Sequence, residues 1–227
     1  PSAPDGANHV AFAYSADGRD RFTTLYPNLN LLTDSKDFKN KDVDIHASTT
    51  SITSPDSTIL KEGHDTYLNF TKVSNPDWFR AFLVRGSSVS PNFPNVDVKP
   101  NSQYTFSVWL KGKGEHYIIA YGNWTNPIQK AMTITLTDTW TKYTFTVNTA
   151  DTIPMQEVQF FIRSSNVGSE INLKYPKVEQ GSIATPWLPS FSEVTAEDYP
   201  SYIGTYTDNN SNEQSTDPLK YTWKKIE

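Results

Sequence analysis

Y-T-F-S-V-W-L, residues 104 to 110, alternates strictly between two kinds of side chain. Tyr104 and Phe106 share one face with two aliphatic residues, whereas Trp109 lies on the other face with Thr and Ser. Similar runs follow: W-T-K-Y-T-F-T-V at 140–147, Q-E-V-Q-F-F-I-R at 156–163 and E-I-N-L-K-Y-P-K-V-E at 170–179. A period of two, rich in β-branched and aromatic residues, is typical of half-buried antiparallel strands. The stretch therefore predicts a β-sandwich or barrel and not a parallel α/β sheet.

Further strands are predicted on both sides of this run, at residues 66–73, 115–121 and 130–136. Residues 78–84, W-F-R-A-F-L-V, are apolar on both faces, which favours a central strand or one whose outer face meets a ligand. Residues 33–65 are the least periodic part of the chain, and we expect loops and short edge strands there.

The region ends with K-V-E-Q-G-S-I-A-T-P-W-L-P-S at 177–190. Together with Y-T-F-S-V-W-L-K-G and W-T-K-Y-T-F-T-V, this ending resembles the jelly-roll carbohydrate-binding modules of glycoside hydrolases. It resembles still more closely the versions carried by tail and baseplate proteins of phages that infect lactococci and streptococci. The resemblance covers roughly residues 28–190. It implies an all-β, antiparallel two-sheet jelly roll over residues 27–190, with almost no helix beyond one turn near 192–198.

Both ends of the chain carry segments that resemble parts of one small phage tail module. A-Y-S-A-D-G occupies 13–18, and Y-I-G-T-Y-T-D occupies 202–208. We therefore expect a β connector made from residues 1–26 and 191–227, with the jelly roll inserted between them. The strand at 9–14 should then lie beside 202–206 or 221–223, with both chain ends on one side. Two unrelated linker strands are the alternative. Because the sequence begins at Pro1, we also expect a piece of a longer polypeptide.

Charge and composition exclude several classes of function. The formal net charge is −5 and the pI is about 5.4, and no basic cluster exceeds Lys224 and Lys225, so a nucleic-acid partner is not expected. Cysteine is absent, which removes disulfides and thiolate metal sites. No apolar run is long enough to span a bilayer, and no signal peptide is evident, so membrane insertion is not expected.

Catalytic patterns are weak in this sequence. Glycoside hydrolysis needs two carboxyl groups about 5–10 Å apart, one of them with a raised pKa. Glu157 and Glu170 border strands, where solvation is the simpler expectation. The histidines are far apart in sequence, and neither a G-x-S-x-G turn nor a glycine-rich phosphate loop is present. An enzyme is therefore the least favoured class.

Aromatic residues on polar faces remain as candidates for a binding site. Trp109 is unexpected on a Thr/Ser face that meets water, and it is expected where that face meets the C–H face of a sugar. A second small core under a loop is the alternative. We predict that Trp109 and Tyr121 act as stacking platforms on one face. The flanking candidates are Trp78, Tyr117, Trp124, Arg80 and Arg163, the two arginines as bidentate donors or as partners of a buried carboxylate.

The resemblance assigns the other tryptophans to packing: Trp140 and Trp187 within the jelly roll, and Trp223 within the connector. It also implies non-catalytic binding of a host cell-surface saccharide by a baseplate or tail component of the virion, together with other baseplate proteins. A purely structural or assembly role is the alternative. Many modules of this kind hold a structural Ca²⁺ near the ends of the domain, but no local motif here defines such a site.

Overall fold

The computed structural model describes residues 6–39, 50–52, 57–71, 78–85, 98–121, 129–151, 157–164 and 168–227. The chain divides into two compact units. The terminal unit comprises Pro1–Asn28 and Val194–Glu227, and the jelly-roll unit comprises Leu29–Glu193. In sequence, the jelly-roll unit interrupts the terminal unit.

Strands dominate the described residues. Their bounds are β1 Ala7–Ala13, β2 Thr50–Ile52, β3 Thr58–Glu62, β4 Asp65–Thr71, β5 Trp78–Arg85, β6 Gln103–Lys113, β7 Glu115–Tyr121, β8 Gln129–Thr135, β9 Thr141–Asn148, β10 Glu157–Ser164, β11 Glu170–Gln180, β12 Tyr202–Asp208 and β13 Thr222–Lys225. Helix within these ranges is limited to two 3₁₀ turns, Ala196–Asp198 and Pro218–Lys220. Across the same described ranges, no helix is both long and apolar enough to cross a membrane.

Two five-stranded antiparallel sheets form the jelly-roll unit. Sheet A has the order β2-β5-β10-β7-β8, and sheet B has the order β3-β4-β11-β6-β9. The expected all-β, two-sheet antiparallel fold is thus confirmed. Strand β5, apolar on both faces in the sequence, is an inner strand between β2 and β10. The short strands β2 and β3 lie at sheet edges, as the weak periodicity of residues 33–65 predicts.

The core lies between the two sheets. Phe106 of sheet B stacks on Phe160 of sheet A, with ring centroids 5.1 Å apart, and Phe145 approaches the same ring edge-on at 6.2 Å. Tyr104, Phe106 and the aliphatic residues at 108 and 110 are buried, as the alternation predicts. Since such rings bury large apolar areas and also interact with one another, they account for much of the packing between the sheets.

His116 is a polar residue among these buried side chains. It lies on the core side of β7, fully buried, and its Nε2 is 2.8 Å from the carbonyl oxygen of Lys113. Burial lowers the pKa of His116 below its ordinary value of 6.5, although hydrogen bonds from the imidazole to backbone groups partly oppose this. The folded jelly roll therefore resists taking up a proton that the unfolded chain accepts.

The unfolding free energy should consequently fall as the pH drops below about 6.5, by at most about 1.4 kcal/mol per pH unit from this residue. His116→Gln keeps a polar group and removes the titration. Urea unfolding at pH 7.5 and pH 5.5 should show that the variant loses less unfolding free energy between the two pH values than the wild type does. Equal losses would mean that other groups cause the acid sensitivity.

The terminal unit contains a three-stranded antiparallel sheet of order β1-β12-β13. His9 is opposite Tyr206 and Ala13 is opposite Tyr202, so the pairing expected between the two ends of the chain is present. Ala7 is opposite Asp208, whereas Lys225 is opposite Tyr202. These residues therefore lie at opposite ends of β12, about 20 Å apart along the strand. Pro1 is outside the described residues, so the expectation that Pro1 and Glu227 lie on one side stays a prediction.

An aromatic cluster fills one side of this sheet. Phe22, Tyr206, Tyr221 and Trp223 lie with neighbouring ring centroids 4.8–6.0 Å apart. Gly18, in the turn after β1, has a φ of +77°, and a Cβ at this position would overlap the indole of Trp223. The Asp17-Gly18 turn thus needs glycine both for its left-handed backbone and for contact with the ring.

Gly18→Ala should therefore destabilise the terminal unit by about 2 kcal/mol or more, since it adds backbone strain to an overlap in the core. Gly63 is a matched control, because it also has positive φ, +62°, but open space where a Cβ would lie. Thermal unfolding followed by tryptophan fluorescence should show the larger shift for Gly18→Ala. Equal shifts would show that the contact with Trp223 adds nothing.

Candidate functional site

The structure does not bring all of the predicted site residues together. Trp109 is on β6 of sheet B, whereas Tyr121 is on β7 of sheet A. The two cannot form one stacking platform on a single sheet face, and this part of the prediction is wrong. The remaining candidates on sheet A are Trp78 and Arg80 on β5, Tyr117 on β7 and Arg163 on β10. Trp124 is outside the described residues.

Three of the candidates on sheet A occupy one row across neighbouring strands. Arg163 is opposite Trp78 on one side and Tyr117 on the other. The register between β10 and β5 shifts between Ile162 and Arg163, which marks a bulge in this row. The hydroxyl group of Tyr117 donates a hydrogen bond to Glu115 Oε1 at 2.8 Å. The row is a second group of candidates, and it is separate from Trp109.

Trp109 lies on the face of sheet B that points away from the core. Its neighbours along β6, Val108 and Leu110, are fully buried, while Trp109 itself is partly exposed. Lys174 of β11 and Lys142 of β9 are directly opposite it on the two adjacent strands. Within the described part of the chain, no aromatic ring or cation packs against the Trp109 indole. Trp109 is therefore a partly exposed ring flanked by two lysines.

An aromatic pair also lies on this face. The rings of Tyr67, from β4, and Trp140, just before β9, meet edge to face at 5.6 Å, although β11 and β6 separate them in the sheet. Lys111 and Lys174 place their ammonium groups 4.9 and 4.3 Å from the centre of the Trp140 ring. These cation–π contacts engage the Trp140 ring within the protein. Its arrangement agrees with the packing role that the sequence assigned to it.

Asp65 links these groups to an irregular part of β11. Its Oδ2 accepts a hydrogen bond from Lys174 Nζ at 2.8 Å, and its Oδ1 accepts one from the Tyr175 hydroxyl group. Tyr175 has a φ of +56° and lies where the register of β11 shifts, between Lys174 and Lys177. Such a conformation in a residue other than glycine is strained and is held by its surroundings. It places Tyr175 at 4.8 Å from Trp187, measured between ring centroids.

The segment after β11 covers the rest of this face. Lys177 Nζ donates hydrogen bonds to Thr185 Oγ1 and to the carbonyl oxygen of Pro186, both at 2.8 Å, and it lies 3.4 Å from Glu179 Oε2. Lys177 and Glu179 are 0% and 2% exposed. Trp187 donates from Nε1 to the carbonyl oxygen of Pro176 at 3.0 Å. The closing segment, residues 181–190, therefore packs on the part of the face that carries Lys177 and Glu179, whereas Trp109 is partly exposed.

Sequence reasoning missed several residues of this face. The three lysines at 111, 142 and 174 fall on the polar side of their strands, so the alternation that placed Trp109 could have placed them as well. Tyr67 could have been found in the same way, from its position before Leu68. Tyr175 could not, because its orientation depends on the bulge. Pro176, which cannot donate to a ladder, was the only local sign of that irregularity.

The acids near the ends of the jelly-roll unit bear on the calcium site that the resemblance allows. Glu193 accepts hydrogen bonds from the backbone N–H groups of Ser35 and Lys36 and from the hydroxyl group of Ser190. Asp34 accepts from the backbone N–H of Lys39 at 2.9 Å. These carboxylates are thus occupied in fixing loops. Among the described residues, no group of three or more acidic or histidine side chains is arranged to hold a metal ion.

Comparison with solved structures gives a similarity over nearly the whole chain. The tripod (BppUct-A-L) from the baseplate of bacteriophage Tuc2009 is 29% identical, with a TM-score of 0.66, over 99% of this chain and 80% of that chain. A CBM4 structure is 14% identical with a TM-score of 0.45, over 66% of this chain and 99% of that one. TmCBM61 in complex with β-1,4-galactotriose is 10% identical with a TM-score of 0.44, over 68% and 100%.

No protein-family model and no curated protein matches the chain. The similarity to the tripod includes both the jelly-roll unit and the terminal unit. The resemblance to phage baseplate proteins seen in the sequence is therefore confirmed: this all-β chain is similar, over nearly its whole length, to the tripod of a phage baseplate.

Proposed function

We propose that this chain binds a saccharide of the host cell surface, without catalysis, as a component of a phage baseplate at the tip of the virion tail. The observation that carries the proposal is Trp109, a partly exposed ring without an aromatic partner in the described residues, on the outer face of sheet B. An indole of this kind can stack on the C–H face of a sugar ring. The similarity to a baseplate tripod supports the setting in the virion.

Two carboxylates of sheet B, Asp65 and Glu179, support a role in binding over one in hydrolysis. Asp65 is held by Lys174 and Tyr175. Glu179 accepts from the backbone N–H and hydroxyl groups of Thr185 and pairs with Lys177. A glycosidase needs two carboxyl groups that are free to face the scissile bond. Both of these acids are committed to structural contacts.

Titration of the purified chain with cell-wall polysaccharide from a sensitive host tests the proposal. A single site should bind weakly, with a Kd in the range of about 1 μM to 1 mM, because sugar hydroxyl groups exchange bonds with water for bonds with protein at little net gain. Several copies on one particle would raise the avidity by about 10²–10⁴. Polysaccharide from a resistant host is the control. If neither polysaccharide gives a heat of binding and neither retains the chain when immobilised, saccharide binding is rejected.

A structural role in the assembly is the second candidate function. It is supported by the extent of the similarity to the baseplate tripod, which includes the terminal unit as well as the jelly roll. On this account, the other baseplate proteins are the partners, and the polysaccharide titration gives no signal while the chain still joins the assembly. Release of shortened saccharides during the titration would instead revive an enzymatic role.

A further inference from the structure

Charged groups near Trp109 are paired, with one exception. Lys174 pairs with Asp65 at 2.8 Å, and Lys177 pairs with Glu179 at 3.4 Å. Lys142 is on the same face of sheet B, directly opposite Trp109 in the β6–β9 pair. Among the side chains that the structure describes, none makes a hydrogen bond or an ion pair with the Lys142 ammonium group. One cation beside Trp109 is therefore without a direct hydrogen-bond or ion-pair partner among the described side chains.

The position of Lys142 makes this lack of a partner unfavourable. The residue is partly buried, and burial lowers the pKa of its ammonium group, while the negative charge of Glu179 opposes that change. A cation that is partly removed from water gains from an anion that replaces the lost hydration. Directly opposed side chains in an antiparallel pair have Cβ atoms about 4.5–5.5 Å apart. Substituents of a sugar ring stacked on Trp109 would therefore lie within reach of Lys142.

We propose that the Trp109 face takes an acidic saccharide, whose ring stacks on Trp109 while its carboxylate or phosphate group pairs with Lys142. This inference rests on the proposed function and narrows it to a class of ligand. Lys174, on the other side of Trp109, contributes less to anion binding because Asp65 already neutralises it. Affinity for the acidic ligand should fall as salt is added, since a partly exposed ion pair is screened.

Calorimetric titration of the full chain with two matched pairs of oligosaccharides tests the proposal. The first pair is trigalacturonic acid and its methyl ester, and the second is mannotriose with and without a phosphate at O6. The variants are Lys142→Met, which removes the charge, and Lys142→Arg, which keeps it. Lys61→Met is the control, because Lys61 is an exposed residue on β3, at the opposite edge of sheet B. Melting profiles verify that each variant folds.

At least one acidic probe should bind the wild type about tenfold or more tightly than its neutral partner. Lys142→Met should abolish that preference, and Lys142→Arg and Lys61→Met should keep it. The pair that shows the preference identifies carboxylate or phosphate as the recognised group. Equal affinity for acidic and neutral probes, or an unchanged preference in Lys142→Met, would overturn the acidic ligand and leave saccharide binding intact. Failure of both acidic probes to bind would also overturn the proposal of an acidic ligand. The titration with host polysaccharide tests the proposed function separately.

Discussion

Replacing Lys177 with Met is expected to lower the unfolding free energy of the jelly-roll unit by about 3–5 kcal/mol. The ammonium group is fully buried, and it donates to Thr185 and Pro186 beside the carboxylate of Glu179. Desolvation lowers the pKa of Lys177 to about 8, although Glu179 opposes the shift. Removal of the cation leaves Glu179, which is 2% exposed, without its counter-charge. It also removes two bonds that hold the closing segment.

The double variant Lys177→Met, Glu179→Gln separates these effects. Because it also removes the buried, unpaired charge of Glu179, the double variant should be more stable than Lys177→Met by about 1 kcal/mol or more. Lys61→Met, an exposed change on β3, should be neutral within about 0.5 kcal/mol. Denaturant unfolding of the jelly-roll unit measures all three variants. A loss below about 1 kcal/mol for Lys177→Met would contradict a closing segment held by this lysine.

The pH dependence gives an independent readout. Between pH 8 and about 10.5, the unfolded chain keeps a proton on Lys177 that the folded chain has released. The wild type should therefore gain stability relative to Lys177→Met as the pH rises through this window. Below pH 8 both states carry the proton, and the difference between wild type and variant should be constant. A difference that shrinks from pH 8 to pH 10.5 would have the wrong sign for a buried lysine.

Trp109→Ala is expected to weaken binding of host polysaccharide by roughly 5- to 30-fold, with little change in stability. An aromatic contact contributes on the order of 1–2 kcal/mol, which corresponds to that range. Stability should change little because the partly exposed Trp109 ring makes no aromatic contact among the described residues. Calorimetry measures the affinity, and an unchanged melting profile verifies folding.

Trp78→Ala and Tyr117→Ala are the matched controls, since both residues are on sheet A in the row that contains Arg163. If Trp109 is the platform, these variants should bind like the wild type. Loss of binding in the controls, with Trp109→Ala at wild-type strength, would move the site to sheet A. The comparison therefore separates the two groups of candidates.

Alternation in the sequence was sufficient to predict most of the strands and, for β6, the side that faces the core. Tyr104, Phe106 and Val108 are buried as predicted, and Trp109 is on the opposite face. Alternation says nothing about the sheet to which a strand belongs. The chain crosses from sheet B to sheet A at Gly114, between β6 and β7. Trp109 and Tyr121 were consequently assigned to one face when they are on different sheets.

The ion pairs and hydrogen bonds of the Trp109 face were harder to predict from the sequence. Its ion pairs join residues far apart in the chain, such as Asp65 with Lys174, so pairing depends on the order of strands in sheet B. The bulge in β11 then turns Tyr175 toward Asp65. A bulge changes the face of every later residue in its strand relative to simple alternation. For this reason the sequence predicted a polar face with one Trp and missed the charged network around it.

Nuclear magnetic resonance of the indole N–H groups tests the central claim most directly. The chain has 6 tryptophans, and each contributes one indole signal that a Trp→Phe variant assigns. Titration with oligosaccharides released from the host wall should shift the Trp109 signal first, with the Trp223 signal of the terminal unit unchanged. Saturable shifts confined to Trp78 or Trp124, with Trp109 unmoved, would contradict a saccharide site on the outer face of sheet B.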